Sequence, residues 1–202
     1  MPSTIDTAPH ASRRIWNPIQ KDAAIFLVTA EESGGAHTLL EIELAPGGGN
    51  TLHTHTDFAE HFEVIEGELV VQVGSQEHVL GPGGAAVAPP RTPHRFQSRS
   101  ARPTRFRVAL RPGHAGFERA LRIGYGMAED GRVNARGLPR RLDHLALLVD
   151  MSGTVPAGVA ALALPLLRFI AARARRRGVE AELTARYCPP MAPAEPHVAG
   201  AA

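Results

Sequence analysis

The sequence predicts a mainly β fold, an antiparallel barrel or sandwich, followed from Pro112 onward by a mostly α-helical C-terminal extension. Three observations carry this. Between residues 36 and 110, short extended pieces follow one another at close spacing, divided by Gly67, Gly74, Gly81-Pro82-Gly83-Gly84 and Pro89-Pro90, with no helical pattern between them. The first of these pieces alternates with period two: Thr38, Leu40, Ile42 and Leu44 fall on one face, His37, Leu39, Glu41 and Glu43 on the other. After Pro112-Gly113 the apolar spacing changes to that of a helix.

Taken in order, residues 1–15 read as a flexible N-terminal tail, polar and rich in Pro, Ser and Thr. The run Ala24 to Ala30 is short, apolar and partly β-branched, as a strand requires. Pro46 to Asn50 is a turn by composition, and strands are then predicted at 51–55, 60–66, 68–73, 76–80, 84–88, 93–98 and 104–110. The barrel is thus assigned to 16–111 and the helical extension to 112–188, with a flexible tail at 189–202. Within the extension Phe117, Leu121 and Ile123 recur at roughly helical spacing, as do Leu142, Leu145, Ala146 and Val149. Residues 157–177 and 179–187 also read as helices, broken at Gly178.

Composition narrows the function classes. Apolar residues at 44% and charged residues at 21% describe an ordinary globular protein and argue against a multi-span membrane protein. The net charge of +2 hides a split, with 5 Lys/Arg against 12 Asp/Glu in residues 1–98 and 17 Arg against 8 Asp/Glu in residues 99–202. No basic stretch is interleaved with aromatics, so the arginines are expected on a solvated face and no nucleic-acid partner is expected. The single cysteine, Cys188, cannot form an intramolecular disulfide, and no apolar segment of the secretory kind opens the chain, so the expected compartment is the cytoplasm.

The residues that promise chemistry begin at His53-Thr54-His55. In an extended chain, positions i and i+2 project to one face, which aims two imidazoles at one point. Glu60 follows at the head of a strand of alternating Phe62 and Val64, and a turn at Thr56-Asp57 could fold it back beside the pair. A third imidazole is available at His94, after the rigid Pro89 to Pro93 segment. Three imidazoles and one carboxylate form a coherent set for a divalent transition metal.

In these positions the chain resembles the cupin superfamily. Gly47-x5-His53-x-His55-x4-Glu60-x6-Gly67 is similar to the first cupin motif at every spacing, and Gly83-x5-Pro89-x4-His94 to the second. Arg91 stands where a glycine is usual and Ser98 where an asparagine is usual; neither is a ligand position. The resemblance covers residues 36–110. It implies a double-stranded β-helix (jelly-roll) barrel, often dimeric, that holds one metal ion (Fe, Mn, Ni, Co, Cu or Zn) through His53, His55, Glu60 and His94. It also implies an enzyme acting on a small organic molecule, a dioxygenase of the quercetin-dioxygenase-like type in the first instance, with Glu60 as ligand and proton acceptor. A metal-dependent isomerase, cyclase or lyase, and a non-catalytic small-molecule-binding module, are the alternatives.

Phe62 and Phe96, with Phe58, can line a substrate pocket, although a filled barrel interior explains them equally well. His61 should point away from Glu60. His37 and His78 are expected to face solvent, His114 and His144 lie in the extension, and His10 and His197 fall in the tails. Gly124-x-Gly126 lacks the strand-turn-helix context and third glycine of a dinucleotide site. Residues 155–177 join an apolar run to the basic Arg173 to Arg177 stretch. An amphipathic helix of that kind can make peripheral contact with an anionic membrane, but Pro156, Pro165 and Arg168 interrupt any span. The expected arrangement is a Pro-kinked helix packed on the barrel or a partner subunit, capping the pocket.

Overall fold

The computed structural model describes residues 13–156 and 162–191. Among these residues, eleven strands form two antiparallel sheets. They are β1 (Arg14–Asn17), β2 (Asp22–Val28), β3 (Thr38–Leu44), β4 (His53–His55), β5 (Ala59–Glu66), β6 (Leu69–Val73), β7 (Gln76–Leu80), β8 (Ala85–Ala88), β9 (His94–Gln97), β10 (Thr104–Arg111) and β11 (Thr154–Pro156). One sheet runs β1-β2-β3-β10-β5-β8 and the other β11-β4-β9-β6-β7. Facing each other, they make the predicted double-stranded β-helix.

Period two explains the interior. On β3 the inward residues Thr38, Leu40, Ile42 and Leu44 are all buried. Its neighbour β10 pairs Phe106 with Ile42 and Val108 with Leu40, so both strands present one apolar face. On the other side of β10, β5 turns Glu60, Phe62 and Val64 inward. Each fully buried Leu, Ile, Val or Phe contributes roughly 1.5–3 kcal/mol, so this packed layer fixes which residues of β5 face in. Glu60 is therefore carried into the interior by the register of its apolar neighbours.

Two turns have special backbone. Gly67, between β5 and β6, has φ 82°, and a Cβ there would lie 2.6 Å from the carbonyl oxygen of Pro103. Arg91, at the position where the family usually has glycine, adopts φ 63°, the left-handed region. Its N–H donates to the carbonyl of His55 at 2.6 Å, which ties the β8–β9 connection to the His53/His55 strand.

The extension contains α1 (Ala115–Glu129), α2 (Leu142–Ser152), α3 (Leu164–Arg176) and α4 (Val179–Tyr187). Helix α1 is capped by His114, whose Nδ1 accepts from the N–H of Phe117 at 2.9 Å. In its first turn the buried Glu118 accepts from the Ala30 N–H at 2.6 Å and from the Thr38 hydroxyl, pinning the helix to the barrel. One face of α1 gives Phe117, Leu121 and Tyr125 to the barrel core. Its opposite face gives Ala120, Ile123 and Met127 to a second core shared with α2, α3 and α4.

Several expectations need correction. The strand β1 begins at Arg14, inside the segment read as a flexible tail, because it pairs with β2 from Arg14↔Ile25 to Asn17↔Asp22. Strand β11 carries no strand pattern of its own and exists by pairing with β4, Thr154↔His55 and Val155↔Thr54. Helix α3 begins at Leu164 with Pro165 in its first turn, where the missing N–H costs nothing, so Pro165 starts the helix and does not kink it. It buries Leu167, Ala171 and Ala174 in the second core; the barrel is covered by α1 and β11 instead. The remainder of the expected tails, residues 1–12 and 192–202, and residues 157–161 lie outside the described residues.

Candidate metal centre

Strand β4 pairs with β9 through His53↔His94, and β5 of the opposite sheet brings Glu60 across the barrel to meet them. One ligand atom from each of His53, His55, Glu60 and His94 lies within 4.8 Å of the others. His55, Glu60 and His94 are buried and His53 is half-buried, so the cluster sits at the inner end of a cavity.

The ring orientations decide what this cluster can do. His53 Nδ1 lies 2.8 Å from the carbonyl oxygen of Thr51, and His94 Nδ1 lies 2.8 Å from that of Thr92. A carbonyl only accepts, so in both rings Nδ1 carries the proton and Nε2 keeps a lone pair. His55 Nδ1 faces Thr154 Oγ1 at 3.3 Å. All three Nε2 atoms consequently turn inward. The Nε2 atoms of His53 and His55 approach to 3.0 Å, and Glu60 places Oε1 3.3 Å from His55 Nε2 and Oε2 3.2 Å from His94 Nε2. The last approach is close but not aligned as a hydrogen bond, which leaves His94 Nε2 buried without a partner.

Neutral imidazoles arranged in this way direct lone pairs at one another, an arrangement that a cation at their focus relieves. The electrostatics of Glu60 and His53 agree. Burial would raise the Glu60 carboxyl, but the His55 and His94 rings beside it, 3.3 and 3.2 Å away, override it and hold the group well below the usual carboxylate range. Burial, reinforced by His55, pushes His53 down to about 4 and keeps it neutral. Burial would also lower His94, yet the Glu60 carboxylate reverses this and raises it. The residues present fit a divalent transition metal.

Residues 40–110 match the family described as the Cupin domain. The chain belongs to the cupin superfamily. Among solved structures, this cupin is 33% identical to the protein TT1209 from Thermus thermophilus, covering 48% of this chain and 88% of that one with a TM-score of 0.43. It is 27% identical to a sugar phosphate isomerase of the cupin superfamily from Silicibacter pomeroyi, covering 46% of this chain and 60% of that one with a TM-score of 0.41. It is 24% identical to the polyketide cyclase RemF from Streptomyces resistomycificus, covering 45% and 65% with a TM-score of 0.41. No curated protein matches this chain.

The cupin cavity in front of the histidines and Glu60 has a volume of ≈ 210 Å³, and Phe96, Val108, Phe117 and Leu121 are among its walls. The expected substrate pocket of Phe62 and Phe96 is corrected in part. Phe96 lines the cavity, whereas Phe62 packs behind it, its ring 6.4 Å from those of Phe96 and Phe106, in a barrel interior filled at that level. Phe58 is buried with its ring stacked 4.4 Å from His55, so it supports a metal-site ring and does not line the cavity. His61 is on the other face of β5 from Glu60, and His78 is exposed.

Sequence reasoning missed the residues that orient the imidazoles. Thr51 and Thr92 each stand two positions before a histidine of the site, a shared T-x-H spacing that was open to reading. Thr154 was not, because 99 residues separate it from His55. Gln20 and Tyr125 also line the cavity and carried no signal. Among the described residues, no helix is long and apolar enough to cross a membrane.

Proposed function

We propose that this cupin holds one divalent transition metal at His53, His55, Glu60 and His94 and acts on a small organic molecule as a dioxygenase. The observation that carries the reading is the convergence of three Nε2 atoms on Glu60, each with its Nδ1 engaged behind it, at the end of a largely apolar cavity. Iron, manganese, nickel, cobalt, copper or zinc suits imidazole and carboxylate ligands, and when bound supplies Lewis acidity, with oxygen chemistry if the ion is redox-active.

The chain's own residues define the rest. The backbone carbonyls of Thr51 and Thr92 fix the tautomers of His53 and His94, and the hydroxyl of Thr154 helps to aim the His55 ring. Among the described residues Glu60 is the one acidic group lining the cavity, and it is held ionised there. A substrate bearing an enol or phenol beside Glu60 meets an ionised carboxylate able to accept a hydrogen bond from its hydroxyl. Phe96, Val108, Phe117 and Leu121 keep bulk water from that encounter.

The test is oxygen uptake by protein loaded with Fe(II), Mn(II) or Cu(II) and presented with flavonols and enolisable 1,3-diketones. One O₂ consumed per substrate converted, with no conversion under argon, supports a dioxygenase. Conversion that proceeds equally without oxygen contradicts it and assigns an isomerase, cyclase or lyase. Saturable binding with no turnover of any bound compound assigns a binding module.

A further inference from the structure

We infer that the metal-site cavity and the groove between α1, α2 and the β1–β2 turn are two chambers of one binding site, whose substrate joins a metal-binding, oxygen-bearing head to an uncharged apolar body. This deepens the metal-site reading and rests on it.

The second chamber also has a volume of ≈ 210 Å³. Neither space alone reaches the ~300–1,000 Å³ usual for a small-molecule site, but the two joined enter that range. They adjoin one another, with Gln20, Phe117, Leu121, Tyr125 and Thr154 lining both. Helix α1 supplies three of those five residues, so the extension builds a site that runs out from the barrel mouth.

The lining specifies the ligand's chemistry. The chain carries 22 Lys and Arg, yet none of the described ones lines either chamber, and apart from Glu60 no described Asp or Glu does. A phosphate, sulfate or second carboxylate on the substrate body would find no counter-charge. The polar groups of the second chamber are mostly satisfied from within. Asn17 Oδ1 accepts from the N–H groups of Ile19 and Gln20, Ser152 Oγ donates to the Leu148 carbonyl, and the Tyr125 hydroxyl donates to Asp22. Apart from the Gln20 amide, what remains open is apolar: Leu145 and Leu148 are only half-buried and Leu138 is 43% exposed. An alkyl, isoprenoid or fused-ring body covers such a wall; a sugar does not.

The substrate's length is therefore read by α1 and α2, and Gly124 is the position that tests it. It faces the second chamber without lining the first, and a Cβ built there meets only Leu148 Cδ1, at 3.7 Å. A leucine at 124 would fill the chamber from the helix.

The experiment is calorimetric titration of Zn(II)-loaded protein with acetohydroxamate and octanohydroxamate, which share a metal-binding head and differ by six methylenes. At roughly fourfold per buried methylene, even partial seating of the chain gives octanohydroxamate an advantage of about 100-fold or more. Gly124→Leu should cut that advantage to below about tenfold while acetohydroxamate binds as before. Leu145→Phe, which also intrudes only on the second chamber, gives a second reading should the leucine variant not fold. Equal affinity for both hydroxamates, or an advantage unchanged in folded Gly124→Leu and Leu145→Phe, overturns this inference and leaves the metal site standing. Failure of both hydroxamates to bind overturns both readings.

Discussion

Thr154 Oγ1, on the strand that the extension adds to the barrel, stands 3.3 Å from Nδ1 of His55, a candidate metal ligand 99 residues earlier in the chain. The C-terminal extension is thus part of the site's support. Ser152 Oγ lies 2.7 Å from the Thr154 hydroxyl, and Thr54 Oγ1 donates to the Val155 carbonyl at 3.1 Å, so β11 is stitched in on both sides.

Removing that hydroxyl should loosen the His55 ring. Thr154→Val keeps the β-branched shape and the β11–β4 pairing, so the fold should persist. Loss of a partner behind a ligating histidine typically costs 10–100-fold in metal affinity, and the lower figure suits a 3.3 Å contact. Competition titration against a chromogenic chelator should show Zn(II) affinity falling about tenfold. Unchanged affinity would show that His55 is oriented by Phe58 stacking alone.

Asp22 gives the fold a pH dependence of its own. Its side chain is fully buried, with Oδ2 accepting from the Tyr125 hydroxyl at 2.8 Å and Oδ1 without a partner. Burial, only partly offset by that hydrogen bond, pushes its pKa from 3.8 to about 7. The folded chain then holds this proton more tightly than the unfolded one. Stability falls as pH rises from about 4 to about 7, by up to roughly 4 kcal/mol at 1.36 kcal/mol per unit. Asp22→Asn, which retains an acceptor for Tyr125, should flatten denaturant-unfolding stability across that window. A variant with the wild-type slope would show that another group titrates.

Arg91 carries a left-handed backbone that a glycine adopts without strain. Arg91→Gly relieves a cost of roughly 1–2 kcal/mol in the folded state but adds freedom to the unfolded chain, so the expected net gain is about 1 kcal/mol in urea unfolding. A loss of stability would mean that the arginine side chain makes a contact outweighing its backbone strain.

Glu118 ties α1 to the barrel through the Ala30 N–H and the Thr38 hydroxyl. Glu118→Ala strands two buried donors, each costing about 1–3 kcal/mol, and should lower Tm by several degrees. Because α1 also walls the cavity, the same variant should bind octanohydroxamate more weakly than wild type.

Much of this was written in the sequence, for physical reasons. The alternation of Thr38, Leu40, Ile42 and Leu44 shows because one face of β3 is buried and the other is not. The His53/His55 pair and Glu60 were legible because strand periodicity converts spacing into direction. The illegible parts depend on contacts far apart in the chain. Arg14 to Asn17 holds no apolar run, and Thr154 to Pro156 becomes a strand only because β4 offers a free edge. Phe62 and Phe96 are alike in sequence context, and only the depth of the barrel separates the buried ring from the cavity wall. Gln20, Phe117 and Tyr125 meet at the cavity from distant places in the chain, a juxtaposition no local pattern encodes.

The proposed function depends on the four-residue metal centre. Elemental analysis of tag-free protein, comparing wild type with the His53→Ala/His55→Ala double variant, tests it most directly. About one equivalent of Fe, Mn, Ni, Co, Cu or Zn per wild-type chain, lost in a variant that remains folded, is the result expected. Wild-type protein that is free of metal and cannot be reconstituted with any of these ions would contradict it.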